Sequence, residues 1–337
     1  MDVWVCPKIT GGVLEVIRSV LKKLLHQRSL TSVRYFVWAR DARRDARAAK
    51  QFAQHSGVKL VNIWESPILH TPVEKVLFIL GSGSSVNDMS AAQFAHIGEN
   101  RSIGINYWYF HDFVPNVFSF DAGRVDEEDH EDIERTLAIL GRLFDRKPIV
   151  DSQPQILYLR PLDSESKYLV PVPGELADNR WVSARANLIS QDPLNLESDL
   201  RLILKKIANR SIPTAVLPDN GSSVVRMIFL GLAQGYKDIV LTGVDLDDRP
   251  HFWFSQKYVG RYKEYVALFP TPKNRPHGTT QATNRPIGNI EFLALLGRII
   301  EEEGLGRLWL SSLDSRLSGF LTQYVWPCQT VPEIKAH

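Results

Sequence analysis

The sequence predicts an α/β protein whose mainly parallel sheet is covered by helices on both faces. Two observations lead to this. First, the apolar run VLFIL (76–80) lacks the polar alternation of a one-sided strand, as strands buried on both faces do, and further strand-like runs such as SIGIN (102–106) follow it. Second, these runs alternate with segments of helical period, which is the pattern of parallel strands joined by crossover helices.

The first 74 residues are expected to form an accessory α/β unit. Its elements are a strand over Val3–Val5, a helix through Val13–Leu25, a strand VRYFVWA (33–39), a helix begun at Asp41, and a strand VKLVNIW (58–64). Pro67 and Pro72 mark a linker. From Val76 the pattern strengthens. VLFIL leads into GSGSS, and Asn87 or Asp88 is expected to cap a helix over Met89–His96. SIGIN precedes an aromatic string, Tyr107 to Phe110, and NVFSFD (116–121) is the next strand. DEEDHEDIERTLAILGRLF (126–144) carries its acidic residues first, as a helix start prefers. PIVDS (148–152) and QILYL (155–159) are strand candidates. Residues 161–197 and 250–286 are rich in proline and irregular, as lids are. Between them lie helix, strand, loop, helix and strand, with Gly235 at a helix end. IGNIEFLALLGRIIEEEGL is a helix stopped by Gly304, and RLWLSS is a last strand. The expected division is 1–74, a main domain over 75–325, and a tail over 326–337.

Composition narrows the function. The 337 residues suit about two domains. Lys+Arg number 40 and Asp+Glu 38, a balance that argues against general nucleic-acid binding. Cys6 and Cys328 lie far apart and in no zinc-like spacing. No apolar run approaches ~18 residues, and the N-terminus does not read as a secretory signal, so a cytoplasmic protein is expected. Residues 18–50 hold ten basic residues against Asp41 and Asp45. This stretch is either a solvated helix face or a patch for peripheral contact with an anionic lipid surface such as the inner membrane face.

Ligands of open parallel sheets bind beyond the carboxyl ends of the strands. That rule selects Gly81, Ser82, Gly83 and Ser85, then Asn106, Asp121, Gly221, Ser222 and Ser223, and Asp245 with Asp247. The two Gly/Ser loops can bring backbone N–H groups to a phosphate, or they can be plain turns. GSGSS lacks the third glycine of a dinucleotide fingerprint and the GK[ST] of a P-loop. Asp245 and Asp247, spaced as DxD, suit a divalent cation or ordinary solvation and capping. His277 lies in the polar loop NRPHGTT, either as a surface residue or as a base.

These motifs resemble the bacterial CMP-sialic-acid-dependent sialyltransferases of glycosyltransferase family 42. Gly81–Ser85 resembles that family's G-N-G-P-S loop, and Ile105–Phe110 its C-N-x-F-Y-F segment. Gly221–Val224 and the stretch GLAQGYKDIVLTGVD ending at Asp245 match most closely. The resemblance implies a Rossmann-like domain with a lid and metal-free inverting transfer of an acidic 2-keto sugar, of sialic acid or Kdo type. The donor would be a CMP-sugar and the acceptor a glycan or glycolipid. His277 would be the general base, Asp247 would stand near the leaving phosphate, and Gly81, Ser82, Gly83, Ser85, Asn106, Asp121, Gly221, Ser222, Ser223 and Asp245 would hold the donor. No cofactor is required, with a divalent metal as the lesser alternative. Two rival readings are a magnesium-dependent pterin-type pyrophosphokinase of the same fold and a non-catalytic scaffold in surface-polysaccharide or lipopolysaccharide assembly.

Overall fold

The computed structural model describes residues 11–65, 76–121, 138, 141–160, 172–188, 193–263 and 287–327. Its strands form one ten-stranded sheet, and every strand pair in it is parallel. The strands are β1 (Lys59–Leu60), β2 (Leu77–Leu80), β3 (Arg101–Ile105), β4 (Val117–Asp121), β5 (Gln155–Arg160), β6 (Arg180–Asn187), β7 (Val216–Asp219), β8 (Asp238–Thr242), β9 (Arg307–Leu310) and β10 (Thr322–Gln323). From β2 the chain steps outward through β3, β4, β5 and β6. It then returns to place β8 on the other side of β2, followed by β9 and β10. At the far edge β6 pairs with β1 through Trp181 and Val182 and with β7 through Ala184–Asn187. This is a Rossmann-like arrangement, with the strand order reversing between β2 and β8.

Alternation along β2 divides the core. Leu77 and Ile79 enter a cluster with the helices α1 (Gly11–Ser56), α4 (Pro193–Ala208), α5 (Ser223–Ala233) and α7 (Asn289–Glu302). Phe78 and Leu80 enter an aromatic cluster with Trp108, Phe110, Phe118, Phe144, Phe252, Trp253 and Trp326. The shorter helices are α2 (Ala91–Glu99), α3 (Lys147–Ser152) and α6 (Gln256–Val259).

Several expected elements take another form. Val33–Ala39 is helix, part of the 46-residue α1, and Asp41 sits inside that helix rather than at its start. Residues 13–56 contain neither Gly nor Pro, so nothing interrupts the helix until Gly57 at φ 64°. The segment expected as a separate unit over 1–74 is, where described, this helix plus β1 of the common sheet, and Trp38, Ala42 and Ala49 share the main core. Lys147–Ser152 is helix, with Pro148 in its first turn and Gln153 left-handed at its end. Ser90, rather than Asn87 or Asp88, caps α2. Its hydroxyl accepts from Gln93 N–H at 3.3 Å, and its own N–H donates to the Gln93 side chain at 2.8 Å. β6 falls inside the stretch expected to be irregular. QILYL, VLPD, the 238–242 strand and RLWL are strands as expected, and Gly235 adopts φ 86° at the end of α5. The segments 66–75 and 161–171 and most of 126–140 lie outside the described residues, as do Cys6 and Cys328.

Ala42 is fully buried on α1, whereas Ala48 is exposed. Ala42→Leu should therefore lower the unfolding free energy by roughly 1–3 kcal/mol through overpacking, while Ala48→Leu should stay within about 0.5 kcal/mol. Urea midpoints of the two variants test this. Equal tolerance of both would remove α1 from the sheet face.

Candidate functional site

Where strand order reverses, the loops after β2 and β8 leave a crevice at the carboxyl edge of the sheet. Leu80 pairs with Thr242 on one side and with Gly104 on the other, so the loops beginning at Gly81, Gly243 and Asn106 emerge side by side. Backbone strain gathers here. Asn106 and Leu246 have φ of 54° and 56°, and Gly243 has φ 63°. Non-glycine residues in this region cost energy and persist where the surroundings impose them.

The GSGSS loop is held by the protein itself. Gly81 N–H donates to Thr242 O at 2.6 Å and Gly83 N–H to Gly243 O at 2.7 Å. Ser85 N–H donates to the Asp245 carboxylate at 2.8 Å and Ser85 Oγ donates to it at 2.5 Å. These three amides, expected to meet a phosphate, are already bonded. Asp245 is 3% exposed. Burial raises its carboxyl above the usual carboxylate range, and the Ser85 hydrogen bonds oppose that rise. Asp245 is thus a brace between two loops rather than a group open to a donor.

Asp247 faces a cation of this chain. Arg249 N–H donates to its Oδ1 at 3.1 Å, and the Arg249 guanidinium is ion-paired with it. The same guanidinium lies 3.6 Å from Asp245 and 3.7 Å from Asp314. The DxD carboxylates are therefore bridged by arginine and serine, an arrangement that does not fit a divalent-metal site. Among the described residues no group of three or more His, Cys, Asp or Glu is placed to hold a metal.

The second Gly/Ser loop repeats the pattern. Asp219, fully buried at the end of β7, accepts from Gly221 N–H at 2.7 Å and Ser222 N–H at 3.2 Å. It pairs with Arg226 at 3.2 Å, both side chains being fully buried, and with Arg185 at 3.5 Å. Arg226 is thereby a core partner of Asp219. Ser222 and Ser223 are largely buried as well. The helix α5 runs from here back across the sheet, and Ser223 Oγ donates to Asn106 Oδ1 at 3.2 Å. Asn106 itself is exposed.

Phe252–Trp253–Phe254 closes one side of the crevice. Phe252 N–H donates to Ser82 O at 3.1 Å, and His251 Nδ1 lies 3.2 Å from Ser82 O and 3.4 Å from Ser82 Oγ. The His251 ring stacks on Trp253 with centroids 4.3 Å apart. Reading the sequence alone missed His251 and Asp219 as site residues. Their only signal was position: Asp219 ends β7, and His251 lies in the loop nine residues past the end of β8. His111, which follows the aromatic string, is 6% exposed among Trp108, Phe94, Phe252 and Tyr258. Its Nδ1 accepts from Phe113 N–H at 2.9 Å, and burial lowers its pKa to about 3. His277 lies outside the described residues, as does the side chain of Asp121, the last residue of β4.

No protein-family model matches the sequence, and no curated protein matches it. Among solved structures the chain is similar to the sialyltransferase CstII from Campylobacter jejuni in complex with a substrate analogue, CMP-3FNeuAc. Identity is 13% and the TM-score 0.38, over 74% of this chain and 86% of that one. It is also similar to sialyltransferase CST-II with trisaccharide acceptor and CMP, at 16% identity and TM-score 0.37 over the same shares. An asparagine-to-alanine variant of CST-II with CMP gives 15% identity and TM-score 0.40, again over 74% and 86%.

Two predictions follow from the bracing. A Cβ on Gly83 would lie 2.4 Å from the Asp245 carboxylate, whereas Gly260 has 3.6 Å of room and ordinary helical φ. Gly83→Ala should cost roughly 1–3 kcal/mol, and Gly260→Ala should be neutral or stabilising by up to ~1 kcal/mol. Thermal melting of both variants checks the contrast. The second concerns His111. Unfolded, it binds a proton below pH ~6.5, whereas folded it does so only near 3. Between those values the unfolded state holds more protons, so stability falls with acidification. Relative to His111→Phe, the wild type should lose roughly 2–3 kcal/mol between pH 7 and 4.5 in urea titrations. A difference that stays flat with pH would show the imidazole to be open to water.

Proposed function

We propose that this chain is a glycosyltransferase that takes an acidic 2-keto sugar from a CMP-linked donor and passes it to a glycan or glycolipid. The observation that carries the reading is the strand-order crevice, where the partly exposed Ser82 and Ser84 and the exposed Asn106 stand beside Tyr107 and His251. Hydroxyl and amide groups of this kind suit a ribose and a base edge. The sequence resemblance over Gly221–Asp245 supports the choice of donor class. Because the amides of Gly81, Gly83, Ser85, Gly221 and Ser222 are bonded within the protein, the donor phosphate falls to side chains at the rim. Arg249 is the described cation nearest the Asp245–Asp247 loop and 38% exposed. His277 remains the proposed base toward the acceptor hydroxyl, since imidazole titrates near working pH.

A magnesium-dependent pyrophosphokinase is the lesser reading, because the Asp245 and Asp247 carboxylates already have Ser85 and Arg249. Melting with CMP, CDP, UDP, GDP and ATP, with and without EDTA, separates the readings. CMP at ~100 times its dissociation constant should stabilise by about 2.7 kcal/mol and be indifferent to EDTA. Asn106→Gly keeps a residue tolerant of positive φ and removes the amide, so it should weaken the CMP shift, and loss of the Ser223 hydrogen bond should lower the unliganded stability by only about 1 kcal/mol. His277→Ala should cut turnover at least ~100-fold and leave the CMP shift intact. A shift with ATP that requires magnesium, and none with CMP, would replace this reading with the kinase one.

A further inference from the structure

The outer side of α1 carries a pattern that the crevice does not use. Val33, Phe36 and Val37 are 57, 66 and 42% exposed, an unusual density of bare apolar side chains on one helical turn. Arg40, Arg43, Arg44, Arg47 and Lys50 follow on the exposed side at helical spacing. The stripe from Val33 to Lys50 is about 26 Å long at 1.5 Å per residue. Trp38, Ala42, Asp45, Ala49 and Ala53 occupy the buried side, and Arg34 turns inward to Asp199 at 2.8 Å. Arg40 and Arg44 have local partners in Asp41 and Asp45, and Arg43 Nε donates to Ala39 O at 3.0 Å. Five cations therefore share the stripe with one partly exposed carboxylate, Asp41.

We infer that this stripe docks flat on an anionic lipid bilayer. Val33, Phe36 and Val37 enter the boundary between headgroups and acyl chains, and the arginine row meets the lipid phosphates. Charge complementarity selects an anionic partner, and the apolar turn selects a bilayer among anionic partners. A nucleic acid would satisfy the arginines but leave the aliphatic Val33 and Val37 in water. A straight helix face matches a plane, and amphipathic helices with a basic row bind in this way. No described helix is long and apolar enough to cross a membrane, so the contact is in-plane. The inference does not rest on the glycosyl-transfer reading, and its test uses no enzyme assay.

The full chain is sedimented with vesicles of phosphatidylcholine alone and of phosphatidylcholine with phosphatidylglycerol. Binding is expected only to the anionic vesicles and should weaken as salt shortens electrostatic range. The triple variant Arg40→Gln, Arg43→Gln, Arg47→Gln should partition about a hundredfold more weakly. Phe36→Ser should partition at least about tenfold more weakly. Both variants should keep the wild-type melting temperature, since these side chains face water. The inference fails if the chain sediments with neither vesicle or equally with both. It fails equally if an oligonucleotide removes it from anionic vesicles at matched charge. A dimer in analytical ultracentrifugation that Phe36→Ser dissociates, with no vesicle binding, would instead assign the stripe to a second copy of the chain.

Discussion

The carboxylate of Asp245 holds the two central loops of the sheet together, and the shape of the crevice depends on it. Through Ser85 it ties the β2 loop to the β8 loop across 160 residues of sequence. The same junction needs backbones in contact. A Cβ at Gly81 would stand 2.5 Å from Gly243 O, and one at Gly243 2.6 Å from Gly81 O. Glycine at both places permits that approach, and at Gly243 it also permits φ 63°. The loop from Ser311 backs this corner. Ser315 Oγ donates to Val244 O at 2.7 Å and Arg316 N–H to Asp245 O at 2.9 Å.

Asp219 does at β7 what Asp245 does at β8. Each Gly/Ser loop folds against a carboxylate of the chain: Asp219 takes the amides of Gly221 and Ser222, and Asp245 takes that of Ser85 while backbone carbonyls take those of Gly81 and Gly83. The Asp219–Arg226 pair is fully buried, and pairs of this kind add geometric definition more surely than net stability. Here the definition is the placement of Ser223 against Asn106. Asn106 holds a left-handed conformation while exposed, which makes it the strained polar residue most open to the crevice.

The aromatic side of the sheet has a different task. Tyr107, Trp108, Phe110, Phe252 and Trp253 form a continuous wall against the β2 and β3 loops, with Tyr107 and Trp253 centroids 4.7 Å apart. His111 is neutral filling in that wall, and His251 lies at its rim beside Ser82. Two histidines near the same loops thus differ in character because one is enclosed and the other is partly open.

Much of the architecture was legible from local pattern. Five apolar residues before GSGSS, the apolar 238–242 run and the Gly235 stop each express burial or backbone freedom, which are properties of a short window. The strand ends that border the crevice were legible for the same reason. Val33–Ala39 was misread because Val, Tyr, Phe and Trp favour strands by propensity, whereas Trp38, Ala42, Ala49 and Ala53 bury one helical face on the sheet, and tertiary packing outweighs propensity. β6 was missed because its buried positions include Ser183, Ala184 and Ala186, small side chains that read as loop. The sequence by itself determined an alternating α/β chain with Gly/Ser loops at strand ends. The tertiary structure alone decided which groups those loops bind: Asp245 meets Ser85 through proximity across the sheet, and Asp219 and Arg226 pair because both are fully buried and a buried charge left alone is costly.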